Sequence, residues 1–437
     1  MGENVNYKNA PLSKVHKQIF WCYVLGQISC GYALGIAGTA VTQATEYLNL
    51  NSFWVGILGA GTLIGLMGSI VAGNLSDKIG RRNLFYIDMI LFTILSLTQL
   101  FATNVGLLLV LRIGIGIMIA IDYTVGSALM TEWFPLKESA RFQSFLVIFW
   151  TFGFVISYFV GLLIGGLEGR EVWHFIFASS AVPGLITALL RLKLRIPESP
   201  SWLATVGRRE EAIKLVKKYL GDQYTVFFDS KSEDVDKVSW KELFASKTRI
   251  NTLVGGIFYA CQVFPYFGIG IFLPILVENM NIGNSNISGI LYNVFMIVGA
   301  ILGVVIFNRI SRRAFLLSTF YISAIALLLM VIGKTAPIAV TLVSFSIFAI
   351  VMSASVVLEN PYPPELFNTR MRGSGVGAVI AISRIGAAAG TFLLPIIVEK
   401  SGVYVTLGVC MAVLLFGGIF CHIFAPETSP KFGKPVE

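Results

Sequence analysis

The chain has 437 residues, 55% of them apolar and only 13% charged, with a mean hydropathy of +0.77. A water-soluble protein of this size carries about twice that charge density, so the composition excludes an assembly of soluble domains. The net charge of +9 comes from 33 Lys+Arg against 24 Asp+Glu, with the bases in short clusters between long apolar runs; this suits a membrane protein with basic loops and disfavours nucleic-acid binding.

A polar start containing Lys8, Lys14 and Lys17 leads into the first apolar run, which is too long and too Gly-rich for a cleaved signal and is expected to stay in the mature chain. Runs able to cross a ~30 Å hydrocarbon core recur at about 18–45, 53–73, 83–102, 105–131, 143–165 and 172–193. A second set lies at about 250–278, 285–308, 313–333, 335–358, 374–397 and 402–424. Lipid offers the backbone no hydrogen-bond partners, so each run must close its own bonds as a helix. The expected fold is an all-α membrane protein of twelve transmembrane helices in two pseudo-symmetric six-helix halves, 1–193 and 250–437. Between them, 194–249 is mixed in charge, with an amphipathic stretch Glu210–Tyr219 and an acidic run Asp229–Asp236, and reads as a linker with short helices.

Lys and Arg concentrate in the loops after spans 2, 4, 8 and 10, whereas the alternate loops hold only Arg170, Lys334 and Lys400. By the positive-inside rule both termini and the linker are expected in the cytoplasm, with the chain in the plasma membrane or a bacterial inner membrane. The five cysteines, Cys22, Cys30, Cys261, Cys410 and Cys421, all fall in apolar stretches without a CxxC pair and read as buried apolar residues. No cofactor or metal is expected. The sequence has no phosphate loop, HExxH or nucleophile elbow, which disfavours an enzyme or an ATP-driven pump.

The halves look duplicated. Asp77-Lys-Ile-Gly-Arg-Arg82 after span 2 has a counterpart in Asn308-Arg-Ile-Ser-Arg-Arg313, 231 residues on; Glu132 and Glu365 stand 233 apart, Glu198 and Glu427 229 apart. Three landmarks at nearly one spacing indicate an internal repeat.

With Gly73-x-x-x-Asp77-Lys78-x-Gly80-Arg81-Arg82 after span 2 of a 6+6 layout, the chain resembles the major facilitator superfamily. Pro197-Glu-Ser-Pro-Ser-Trp-Leu203 and Ala425-Pro-Glu-Thr428 resemble the ends of the two halves in sugar porters. Pro364-Glu-Leu-Phe-Asn-Thr-Arg-Met-Arg-Gly373 is similar to a loop shared by bacterial metabolite symporters and organic cation and anion transporters. The resemblance implies a secondary transporter of the alternating-access type. It also implies a conformational latch at one membrane face, built from Gly73, Asp77, Gly80, Arg81, Arg82, Glu132 and Arg141 in the first half and Glu365, Arg370 and Arg372 in the second. Physically, an acid beside a helix N-terminus and Arg side chains makes a releasable tie, and Asp77 is the acid expected there.

Ionisable residues at membrane depth are candidates for function. Arg112 lies near the start of span 4, and Asp122 falls near the midplane in Gly114-Ile-Gly-Ile-Met-Ile-Ala-Ile-Asp-Tyr123, which resembles the span 4 pattern of phosphate and metabolite symporters. That resemblance puts Asp122 in the central cavity as a coupling group; a structural hydrogen bond is the alternative. Relatives place an acid near a Gly-Tyr pair in span 1, where this chain has Cys30 and Ala33 around Gly31-Tyr32, so Arg112 is left without its usual partner. Arg384 matches an Arg of organic anion transporters and is either a partner for a substrate carboxylate or fixed in a salt bridge to Glu359 or Asp122. Glu359 is a second coupling candidate, next to Asn-Pro-Tyr-Pro-Pro364, which must break span 10. Asp88, about a turn and a half into span 3, reads as interfacial.

Tyr32, Tyr123, Trp150, Tyr259, Gln262, Tyr266 and Phe267 are candidates for lining a pocket, with packing as the alternative for each aromatic. The expected function is transport of a small organic metabolite, an organic or aromatic acid, coupled to protons, by a monomer in the lipid bilayer. A sugar or polyol transporter is the alternative within the class, and a non-transporting receptor or scaffold the alternative outside it.

Overall fold

The computed structural model describes residues 5–167, 172–227, 240–245, 248–280, 285–307, 309–332, 337–367 and 371–429. Among them, eleven helices are long and apolar enough to cross a membrane, and a bent pair makes a twelfth span. Span 1 is Lys14–Leu48; span 2 is broken into Ser52–Leu66 and Ser69–Ile79; spans 3, 4 and 5 are Arg81–Thr98, Val105–Trp133 and Leu136–Gly165. Span 6 runs through Val172–Ala178 and Ala181–Leu194, and span 7 through Arg249–Ile271 and Leu273–Met280. Spans 8 and 9 are Ser285–Phe307 and Arg312–Ile332. Span 10 is Ile338–Ser355 with a 3-10 turn to Leu358, and spans 11 and 12 are Arg372–Ser401 and Val403–Phe424. Large apolar side chains such as Val110, Phe175, Ile325 and Ile385 stand exposed around the bundle, as they must against lipid.

Small residues set how closely the spans approach, since lipid provides little hydrophobic drive between helices. A methyl group on Gly31 would meet the Trp150 carbonyl oxygen at 2.2 Å, and one on Gly153 the Ile28 carbonyl oxygen at 2.1 Å, so spans 1 and 5 pack backbone to backbone. Spans 7 and 11 do the same through Gly386 against Ala260 and Gly390 against Phe264. The two halves meet away from the basic loops, where Gly38 lies against the Ile271 carbonyl and Gly56 against the Phe392 carbonyl.

In the linker, helices Pro200–Thr205 and Arg209–Leu220 carry Trp202, Leu203, Ala212 and Val216 into a small core with Tyr7. Val5–Asn6 pairs in parallel with Tyr224–Thr225, a strand contact that the sequence did not signal. The acidic run Asp229–Asp236, Arg170, Asn308, Lys334 and Arg370 lie outside the described residues.

Candidate functional site

At the basic-loop face the repeat becomes structure. Glu198 Oε1 accepts from the backbone N–H of Arg81 at 3.0 Å and of Arg82 at 3.1 Å, closing the N-terminus of span 3. Its counterpart Glu427 accepts from the N–H of Arg312 at 3.0 Å and of Arg313 at 3.1 Å, closing span 9. Arg81 reaches Glu132 at 3.2 Å, and Arg312 reaches Glu365 at 3.6 Å. Gly80 is required by the first cap: its φ is +99°, and a methyl group there would meet Glu198 Oε2 at 2.6 Å.

Two expectations for the latch change. The acid at the helix N-terminus is Glu198, not Asp77, whose carboxylate is 68% exposed and engages Arg81 one turn along at 2.6 Å. Arg141 pairs with Glu138, one turn away on its own helix, at 3.8 Å and is exposed, because the start of span 5 turns it to solvent. Gly73 sits beside Thr124 of span 4, and Arg82 contributes its backbone N–H to Glu198. Arg370 and the side chain of Arg372 lie outside the description. Burial works to raise the Glu427 carboxyl, but the Ser311 hydroxyl and the N–H groups of Ser429, Arg313 and Arg312 outweigh it and hold the group below the usual carboxylate range.

A cavity of about 330 Å³ lies between the halves. Tyr23, Gln27 and Leu34 of span 1, Tyr123 of span 4, Trp150 of span 5, Tyr259, Tyr266 and Phe267 of span 7, and Ile380 and Arg384 of span 11 form its walls. Ser127, Gln143, Glu359 and Asn360 carry it toward the basic-loop face. The deep end is aromatic: Trp150 stacks on Phe154 at 5.6 Å and meets Phe267 edge-on at 6.0 Å, while its indole N–H donates to the Tyr123 hydroxyl. Span 10 stops at Glu359–Pro361, as the prolines require, so Glu359 opens into the cavity and accepts from the Tyr259 hydroxyl at 2.6 Å.

Arg384 is 8% exposed and lies over the Tyr259 ring at 5.9 Å. Among the described residues no carboxylate comes within 4 Å of it, so neither expected salt bridge, to Glu359 or to Asp122, is formed; its Nε has no hydrogen-bond partner. Three expected lining residues are elsewhere. The Tyr32 hydroxyl bonds Ser179 of span 6 at 2.8 Å, Gln262 donates to Ser355 of span 10 at 2.8 Å, and Asp122 points behind the cavity wall.

Behind that wall is a cluster the sequence reading missed. Arg191 of span 6 reaches Asp122 of span 4 at 2.5 Å and Asp88 of span 3 at 3.0 Å, all three fully buried. Its remaining N–H groups go to the carbonyls of Cys22 and Phe85, and its face lies 3.5 Å from the Phe85 ring. Asp88 is therefore not interfacial: spans 3 and 6 run antiparallel, which brings it level with Arg191 and closes it from water. Arg112 is also buried; it donates to the Ala33 carbonyl at 3.2 Å, and its Nε and Nη2 have no partner.

Two six-span halves of the same orientation around a central cavity define a membrane transporter of the major facilitator fold. The model of the Sugar (and other) transporter family matches residues 14–434, and the chain belongs to that family. It is 35% identical to the Escherichia coli inner membrane metabolite transport protein YgcS over 97% of this chain and 94% of that one. It is 32% identical to the E. coli putative metabolite transport protein YaaU, over 97% and 95%. The E. coli xylose transporter XylE, solved in a partially occluded inward-open conformation, superposes with a TM-score of 0.79 at 19% identity, covering 97% of this chain and all of that chain.

Proposed function

We propose that this multi-pass transporter moves a small organic acid, with the substrate carboxylate received by Arg384 and the aromatic end of the cavity holding the rest. The observation that carries this reading is an almost buried guanidinium facing a cavity without a carboxylate partner. Such a group cannot deprotonate and binds planar anions in a fork. Glu359, Asn360 and Gln143 supply polar contacts for hydroxyl or amine substituents.

The basic-loop face is the cytoplasmic one, with both termini there, by the positive-inside rule. The structure is then the inward-open state: the halves are closed at the far face through Gly38 and Gly56, and the cavity reaches toward the cytoplasm. Transport exchanges these far-face contacts for closure of the two halves at the basic-loop face, while Glu198, Glu132, Glu427 and Glu365 tie the spans within each half so that it moves as a unit. Each chain carries a complete cavity, so the monomer is the working unit. Coupling to protons runs through Asp122, with Glu359 as the second candidate; XylE is itself described as a proton:xylose symporter.

A sugar or polyol is the second reading, favoured by the polar residues Ser127, Gln143 and Asn360 along the cavity. A thermal-shift screen of the purified protein against aromatic acids, sugar acids, neutral sugars and organic cations separates the two, since a ligand stabilises the state it binds. Stabilisation by acids supports the proposal; stabilisation by neutral sugars alone overturns it.

A further inference from the structure

The cluster behind the cavity does not balance its charges. Arg191 contributes one positive charge, whereas Asp88 and Asp122 contribute two carboxyl groups, and all three side chains are fully buried. Every N–H of the guanidinium is engaged: Nε and Nη2 by the Cys22 carbonyl, Nη1 by the Phe85 carbonyl and Asp88, and Nη2 again by Asp122. The carboxylates are less fully met. Asp88 Oδ1 takes Arg191 and the Met89 N–H, but Asp88 Oδ2 is buried with no partner. Asp122 Oδ2 receives only the Cys30 thiol, at 3.7 Å. Among the described residues, the other titratable side chains facing the cluster are Cys22, Tyr23 and Cys30, all on span 1, and none of them is a cation. Span 1 seals the cluster through Gly26, where a methyl group would meet Arg191 Nη2 at 2.2 Å and Asp122 Oδ2 at 2.6 Å.

A net negative charge in such a dry site is costly, and binding one proton removes it. We infer that Asp88 and Asp122 hold a single exchangeable proton between them, bridged by Arg191, so that the proton site of this transporter is a carboxylate pair and not one residue. The role of that proton in coupling rests on the proposed function; its presence does not. Because the two acids share one cation, removing either leaves one carboxylate matched by Arg191 and no excess charge for a proton to neutralise.

The test is infrared spectroscopy of the purified, reconstituted protein, following the C=O stretch of protonated carboxyl groups as pH is raised, with Glu359→Gln to identify the contribution of the cavity glutamate. The wild type should show a band from this cluster that disappears on deprotonation. Both Asp88→Asn and Asp122→Asn, near-isosteric changes, should abolish it. If one of these variants keeps the band, the proton belongs to the acid left unchanged and the shared site is wrong; if the wild type lacks it, no proton is held. Arg191→Gln gives an independent check, since without the cation both acids should be protonated and the band should grow about twofold. An unchanged band in that variant also overturns the proposal. Should the band behave as stated while a pH gradient fails to drive uptake, the coupling reading falls and the proton site stands.

Discussion

Glu359 and Arg384 face one cavity without forming an ion pair, and Tyr259 engages both: its hydroxyl donates to Glu359 at 2.6 Å, and its ring lies 5.9 Å from the guanidinium. An unpaired acid and base in one cavity leave each free for a ligand. Tyr259→Phe deprives Glu359 of this hydrogen bond and leaves Arg384, among the described residues, as the one charged partner beside it, with Gln262 the remaining neutral one. The guanidinium is then occupied, and affinity for a carboxylic acid should fall about tenfold, the equivalent of one charge-assisted hydrogen bond. Titration of thermal stabilisation with the acid identified in the screen checks this; unchanged affinity would show that Tyr259 does not keep the two apart.

Gly26 is expected to tolerate no side chain. The groups that a methyl would strike, Arg191 and Asp122, are pinned by hydrogen bonds and cannot swing away without leaving a buried charge unmatched. Gly26→Ala should therefore cost about 1–3 kcal/mol, read as a lower unfolding temperature in detergent. Gly408, with open space around it, is the control position.

Arg112 gives a prediction of opposite sign. Its guanidinium is buried beside Ala33, with Nε and Nη2 lacking partners. Arg112→Met keeps much of the volume and removes an unmatched charge, so the protein should become more stable by roughly 1–3 kcal/mol. A lower unfolding temperature would show that the charge is compensated.

At the membrane face, Glu427 sets a pH dependence. Its folded-state carboxyl lies below the ordinary value of 4.5, so its contribution is complete above that value and is lost as pH falls through the folded one. Glu427→Gln should be less stable than wild type near neutrality, with the gap in unfolding temperature closing as pH drops below about 4.5. A gap independent of pH would mean that the amide fails as a cap for reasons other than charge.

Much of this fold was legible in the sequence because lipid enforces it: each span had to be a long apolar helix, and the prolines after Glu359 had to end span 10. The cavity was partly legible. Trp150, Tyr259, Tyr266, Glu359 and Arg384 line it, but periodicity does not say which face of an apolar helix looks inward, and so Tyr32 and Gln262 read as lining when they hold spans together. Arg191 was missed because Arg191-Leu-Lys193-Leu-Arg195 reads as a basic flank. The signal that could have found it is depth: it lies one turn inside span 6, level with Asp88 on a neighbouring antiparallel span. Glu198 and Glu427 were visible as repeat landmarks, but their capping role depends on tertiary contact between a span exit and a distant helix start.

The central claim, that Arg384 receives the carboxylate of an organic acid, is tested most directly by counterflow in proteoliposomes with the acid that stabilises the purified protein. Arg384→Ala should reduce exchange about 100-fold or more, the usual consequence of removing a desolvated charge partner. Arg384→Lys should retain part of it, with both variants folded and inserted. Wild-type exchange of the acid by Arg384→Ala would contradict the claim.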